Sequence, residues 1–203
     1  GTASVSVNNA TALVTQTLEI SANAEAQLGT AQGGTANIFA TGGTLTTPST
    51  IATANGSSFV AGAEIGGRGG IIDIRSTRAM NGTAGVLNLG AAGLQASGFS
   101  TLVDNPEAAT SSAAGKISIA ANGGQTTAVN FTTLSAQTLG RNTSGFNPNN
   151  GIFLNVDQGS ILATNAVTLL SDENIGVAAV GTGNLFVGND LNAEALNTIT
   201  ISH

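Results

Sequence analysis

Cysteine, tryptophan and tyrosine are absent from this sequence of 203 residues, and histidine, methionine and lysine occur once each. Without cysteine there is no disulfide framework and no thiolate metal site. With His203 as the only imidazole, at the chain end, zinc and copper lack ligands. A catalytic triad lacks a histidine packed from both sides, and a frayed end is the reading of His203. Charge is also scarce. Asp, Glu, Lys and Arg make up 8% of the chain, against about a quarter in an ordinary globular domain. Five cations (Arg68, Arg75, Arg78, Lys116 and Arg141) are too scattered for a phosphate-backbone footprint, which argues against a nucleic-acid partner at a net charge of −6. No apolar run reaches the roughly 18 residues of a membrane-spanning helix. A start at Gly1 without Met fits a secreted chain whose leader has been removed, or an excised fragment.

Ala, Val, Leu and Ile supply most of a 41% hydrophobic content, sufficient for a core. The polar surface must be made from Thr, Ser, Asn, Gln and Gly. Disorder, which goes with low hydrophobicity and high charge, does not fit. Helical periodicity is almost absent, while period-two alternation is frequent. It is cleanest at the two ends. Ala3, Val5 and Val7 alternate with Thr2, Ser4 and Ser6, and Thr198 to Ser202 repeat the pattern with Ile199 and Ile201. Between them lie apolar or alternating stretches at 13–22, 37–40, 45–47, 50–54, 58–65, 71–74, 85–89, 94–103, 116–121, 126–134, 152–156, 160–163, 166–170, 175–180 and 184–187. They give some fourteen to sixteen short strands with frequent turn signals. Asn122-Gly123-Gly124, between 116–121 and 126–134, carries the signature of a hairpin turn. Residues 104–114 and 141–150 read as polar loops holding Pro106 and Pro148.

The expected fold is all-β: a single β-sandwich or jelly-roll-like domain over residues 15–203, with a free N-terminal strand over 1–14. The alternative is a right-handed parallel β-helix. Glycines opening an apolar segment recur at Gly70, Gly115, Gly151 and Gly183. Their spacings of 45, 36 and 32 residues are too uneven for a simple solenoid.

Gly70-Ile71-Ile72-Asp73-Ile74, Arg78, Gly85-Val86-Leu87-Asn88-Leu89, and Ala96 with Phe99 follow an order "G-x-V-x-V … R … G-V-x-L … A-x-F". The stretch Lys116-Ile117-Ser118-Ile119 and Ala128 to Thr132, then Leu185-Phe186-Val187-Gly188 with Leu191, continue it. In this the chain resembles a domain-of-unknown-function family of secreted bacterial β proteins. The resemblance implies a pilin-like β-sandwich without enzymatic activity.

The candidate chemistry is thin. Asp172-Glu173 and Asp104 with Glu107 are the close carboxylate pairs. Without Trp or Tyr to stack a sugar, they read as solvated loop charges rather than a glycosidase pair. The same residues, with Asp190, are the calcium candidates, since calcium takes hard oxygen ligands. None has EF-hand spacing, so no cofactor is expected beyond this calcium option. Gly66-Gly67-Arg68-Gly69-Gly70 has no following Lys-Ser/Thr or helix to hold a phosphate, and reads as a flexible hairpin or interface loop. Lys116 could in principle form an isopeptide crosslink, but an exposed strand lysine is the simpler reading.

The expected function is therefore structural: a subunit of a secreted bacterial extracellular filament or surface layer, in adhesion or biofilm. It would polymerise head-to-tail by β-strand addition, with Ala3, Val5, Val7 and Leu13 in the donated strand. The partner is then a second copy, with a cell or abiotic surface as a further contact. A β-helical adhesin or autotransporter passenger fragment is the alternative, and no enzyme is expected.

Overall fold

The computed structural model describes residues 1–60, 65–102, 111–124, 126–140 and 146–202. The chain folds in repeating coils, each laying one strand on each of three faces. The first coil holds β1 (Thr2–Asn8), β2 (Thr11–Leu13) and β3 (Thr17–Ser21), then β4 (Ala24–Ala26) and β5 (Ala31–Gln32). The second holds β6 (Thr35–Thr41), β7 (Thr44–Thr46) and β8 (Ser49–Thr53), then β9 (Gly56–Val60) and β10 (Ile65–Arg68). The third holds β11 (Ile71–Thr77), β12 (Val86–Asn88) and β13 (Ala91–Gln95), then β14 (Gly98–Leu102) and β15 (Ser111–Ala113). Coils of three strands follow: β16 (Lys116–Asn122), β17 (Ala128–Phe131), β18 (Thr133–Thr138); β19 (Gly151–Asp157), β20 (Ser160–Ala163), β21 (Val167–Ser171); β22 (Asn174–Val180), β23 (Asn184–Val187), β24 (Leu191–Ala195). The strand β25 (Thr198–Ser202) completes the series.

Equivalent strands pair coil to coil. The first face is a seven-stranded sheet in the order β1-β6-β11-β16-β19-β22-β25, and the other two are six-stranded. Every ladder is parallel; an isolated bridge between Asn122 and Gln158 is antiparallel. The arrangement is parallel β-helix-like, the alternative read from the sequence. The antiparallel sandwich is not what these pairings build. The supposed hairpin at Asn122-Gly123-Gly124 is a corner, because β16 pairs with β11 and β19 while β17 pairs with β12 and β20. Nor is β1 a detached strand. It pairs with β6 along its whole length, from Thr2 opposite Thr35 to Asn8 opposite Thr41.

The alternation explains the coil. Every second residue points inward, and strict register stacks like on like. On the first face one inward column runs Ala3, Ala36, Ile72, Ile117, Ile152, Ile175, Ile199. Its neighbour runs Val5, Ile38, Ile74, Ile119, Leu154, Val177, Ile201. The second face adds Ala12, Leu45, Leu87, Val129, Ile161 and Leu185. From Ala36 to Ile175 the first column is essentially sealed from water. Each fully buried Ile, Leu or Val of these columns contributes about 1.5–3 kcal/mol of burial.

Corners between the first and second faces turn through left-handed residues: Asn9, Gly42, Gln158 and Gly181 all have φ between 49° and 66°. Such a conformation suits Gly and Asn. Arg78 binds two corners together, donating to the carbonyls of Gly82 (2.9 Å) and Gly123 (2.8 Å).

After the third face each early coil makes a side arm before returning to the first. In the first three coils the arms span residues 22–34, 54–70 and 96–115 and form two three-stranded sheets, β4-β9-β14 and β5-β10-β15. The last two returns are two residues long, 172–173 and 196–197. Arms rejoin the body at a neck of glycines. A Cβ on Gly70 would collide with the carbonyl oxygen of Gly34, and one on Gly115 with that of Gly70.

Candidate interaction surfaces

Three surfaces have side chains or backbone groups that the coil itself leaves unused. The first is the C-terminal layer. Its strand β25 is hydrogen-bonded on one side only, to β22. Ile199 and Ile201 continue the inward columns but are 46% and 70% exposed, against 1% and 9% for Ile175 and Val177 one layer below. At the opposite layer Ala3 and Val5 are half-buried and Val7 is buried. Leu13, grouped with them from the sequence, lies on β2 and points outward at 69% exposure; Ala12 and Val14 pack against the core instead.

The second surface is the outer side of the seven-stranded sheet. Most of its residues are Ser, Thr, Asn and Gly. Near its middle, Asp73 and Arg75 form an ion pair, and the Arg75 guanidinium stands 5.7 Å from the centre of the Phe39 ring on the adjacent strand. Lys116 Nζ lies 5.3 Å from the Phe153 ring, also one strand over. Both are within cation–π range. A shallow cleft of about 390 Å³ runs beside Phe39 and Arg75, edged by Ser6 and Asn8. Burial raises the Asp73 carboxyl above its ordinary pKa of 3.8, with Arg75 and Lys116 pulling it back down.

The third surface is a polar cleft of about 460 Å³ at the glycine neck, between the arms and the first face. Arg68, from the end of β10, and Lys116, from the start of β16, both line it. Gln32 and Asn150 are anchored at its edges: Gln32 donates to the carbonyl of Gly69 (2.8 Å), and Asn150 to that of Ala114 (2.7 Å). Arg68 therefore ends a strand, β10, paired in parallel with β5 and β15 at the edge of a cleft, and not a flexible hairpin. The sequence singled out Arg68 and Lys116 separately. Their meeting depends on the pairing of Ile71 with Lys116 and of Arg68 with Ala113, which only the coil register brings about.

The carboxylate candidates take structural positions. Glu173 is fully buried in a two-residue return, with its Oε2 accepting from the Asn147 amide (2.9 Å), contrary to the solvated loop charge expected. Beside it Asp172 Oδ2 accepts from the Gly140 amide (2.8 Å). Asp190 is exposed at the turn between β23 and β24, where its carbonyl accepts from Val167 N (2.8 Å). Asp104, Glu107 and His203 lie outside the described residues. Among the described residues no three His, Cys, Asp or Glu side chains converge as metal ligands would, and no helix is long and apolar enough to cross a membrane.

Comparison with protein-family models, with curated proteins and with solved structures found no match to this chain.

Proposed function

We propose that the chain is a structural segment of a secreted, surface-displayed β-helical rod, of the kind a bacterial adhesin or autotransporter passenger would use to hold a contact face away from the cell. The observation that carries this reading is the unbroken inward column from Ala3 to Ile199, seven layers deep and in strict register. At a layer spacing near 4.8 Å such a stack rises about 30 Å. It gains length simply by adding coils. Its outer surface of short hydroxyl and amide side chains suits many weak contacts with a cell or an abiotic surface. Beads coated with the folded chain should be retained on such surfaces under flow, and beads coated with the heat-unfolded chain should not. Equal retention of the two would sink the reading.

Exposed Ile199 and Ile201 favour a second reading, a head-to-tail filament of the same protein. The added strand would be β1 of a second copy. Its Ala3 and Val5 would lie over Ile199 and Ile201 with matching alternation, and main-chain bonds would pair the two free edges. Such a contact does not close on itself, so it propagates. Concentration-dependent sedimentation and electron microscopy test it: Ile199→Lys and Ile201→Lys should abolish filaments. A wild-type chain that stays monomeric at high concentration ends this reading, and filaments from a chain lacking residues 1–10 show that β1 is not the added strand.

A further inference from the structure

We infer that the neck cleft is a binding site for a carboxylated saccharide, with Arg68 and Lys116 as the groups that take the carboxylate. The inference stands on the cleft alone and not on how the rod is displayed or assembled.

The chain has eleven acids against five cations, yet two of the cations line this one cleft, and no carboxylate is among its described lining residues. Arg68 is half-buried, and among the described residues its guanidinium has neither a hydrogen bond nor an ion pair. An arginine partly withdrawn from water without a partner forgoes the charge-assisted bonds that normally offset its desolvation. A planar oxyanion would restore them, because the guanidinium fork matches a carboxylate in two-point geometry. Lys116 brings a second positive charge and is kept near the wall by the Phe153 ring. The neighbouring carboxylate that could neutralise it, Asp73, is already bonded to Arg75 at 2.8 Å.

The remaining wall points to hydroxyl-rich ligands. Gln32, Asn147, Asn149 and Asn150 supply side-chain amides, which both donate and accept. The floor at Gly69-Gly70 and Gly115 is bare backbone, because a side chain there would strike the next coil. At about 460 Å³ the cleft is far larger than an inorganic anion and sits within the range of small-molecule sites.

The test is a nuclear magnetic resonance titration of the full chain with a galacturonate tetramer, an uncharged galactose tetramer and inorganic sulfate. The acidic tetramer should shift the amide signals of the neck and bind at least about tenfold more tightly than the neutral one, as charge-assisted bonds would require. Arg68→Gln and Lys116→Gln should each remove most of that preference with the melting temperature unchanged, and Arg78→Gln, at the corners beyond the other end of the first face, should leave it intact. Equal affinity for both tetramers overturns the proposal, as does undiminished binding by Arg68→Gln. Sulfate binding as tightly as the acidic tetramer at the same signals overturns the saccharide assignment.

Discussion

Asp73 and Arg75 stand two residues apart on the outer side of β11, joined at 2.8 Å, and the two ends of this pair differ in burial. The arginine side chain is 49% exposed and the aspartate 18%, with Asp73 Oδ1 buried and lacking a hydrogen-bond partner. The carboxyl is thus more desolvated than its cation repays, which is why its pKa rises above 3.8. On acidification the folded state takes up the proton before the unfolded chain does. The native state then holds the extra proton between 3.8 and the raised value. Stability from this group is full below 3.8 and falls as pH rises through that window. Asp73→Asn should flatten this part of the pH profile and be favoured relative to wild type at neutral pH. The lost surface ion pair offsets only about 0–1 kcal/mol of that. Denaturant melts below, within and above the window measure it. A variant whose stability falls with pH as steeply as wild type would show that another group titrates.

Position within a column should outweigh residue type. Ile119 and Ile201 belong to the same inward column, but Ile119 is sealed between Ile74 and Leu154, and Ile201 is 70% exposed at the last layer. Ile119→Ala should cost about 2–5 kcal/mol through lost burial and a residual cavity. Ile201→Ala should stay within about 0.5 kcal/mol of wild type in the monomer. Similar losses at both positions, by chemical denaturation at low protein concentration, would mean the last layer is covered.

At the neck, Gly70→Ala should be more damaging than its single methyl suggests. The added Cβ meets the backbone of Gly33 and Gly34, which cannot swing aside as a side chain can. A loss above about 2 kcal/mol is expected, typical of overpacking against fixed atoms. Gly93→Ala is the control, since nothing lies within 4 Å of its added Cβ. If the two variants melt alike, the coils are not in contact at the neck.

On the second face, Asn130 donates to Asn88 Oδ1 (2.8 Å), and Asn88 donates to Thr46 Oγ1 (3.2 Å), forming a ladder across three coils. Asn130→Ala should cost about 1 kcal/mol, and Asn88→Ala more, because it removes both rungs. A double-mutant cycle that returns zero coupling would show the ladder to be ornamental.

Alternation was readable wherever one face of a strand is buried: Ala3, Val5 and Val7 alternate with polar residues in the sequence, and in the coil they share the inward side of β1. The pairing was not readable, for a physical reason. The turn residues at Asn122-Gly123-Gly124 reverse a hairpin and turn a coil corner equally well, since both need positive φ; Gly123 has φ of 94° and Gly124 of 139°. What distinguishes them is a partner strand a whole coil away. The glycine spacing misled for a second reason. Gly70, Gly115 and Gly151 open strands of the first face, whereas Gly183 precedes β23 on the second, and the marker that belongs to their series is Gly34. The arms then vary the interval between true markers. As for the cleft, its lining residues come from segments around positions 32, 68, 116 and 150, far apart until the coils are stacked.

The side arms have an implication for how such a chain changes over generations. An arm leaves the body after the third face and rejoins it at the neck, so residues gained or lost within it shift no ladder. Nature has run this experiment inside the one molecule, with returns of thirteen, seventeen, twenty, twelve and two residues coexisting on the same register. That corner is an insertion port: a foreign peptide spliced there would be displayed beside the stack, while every strand kept its neighbour.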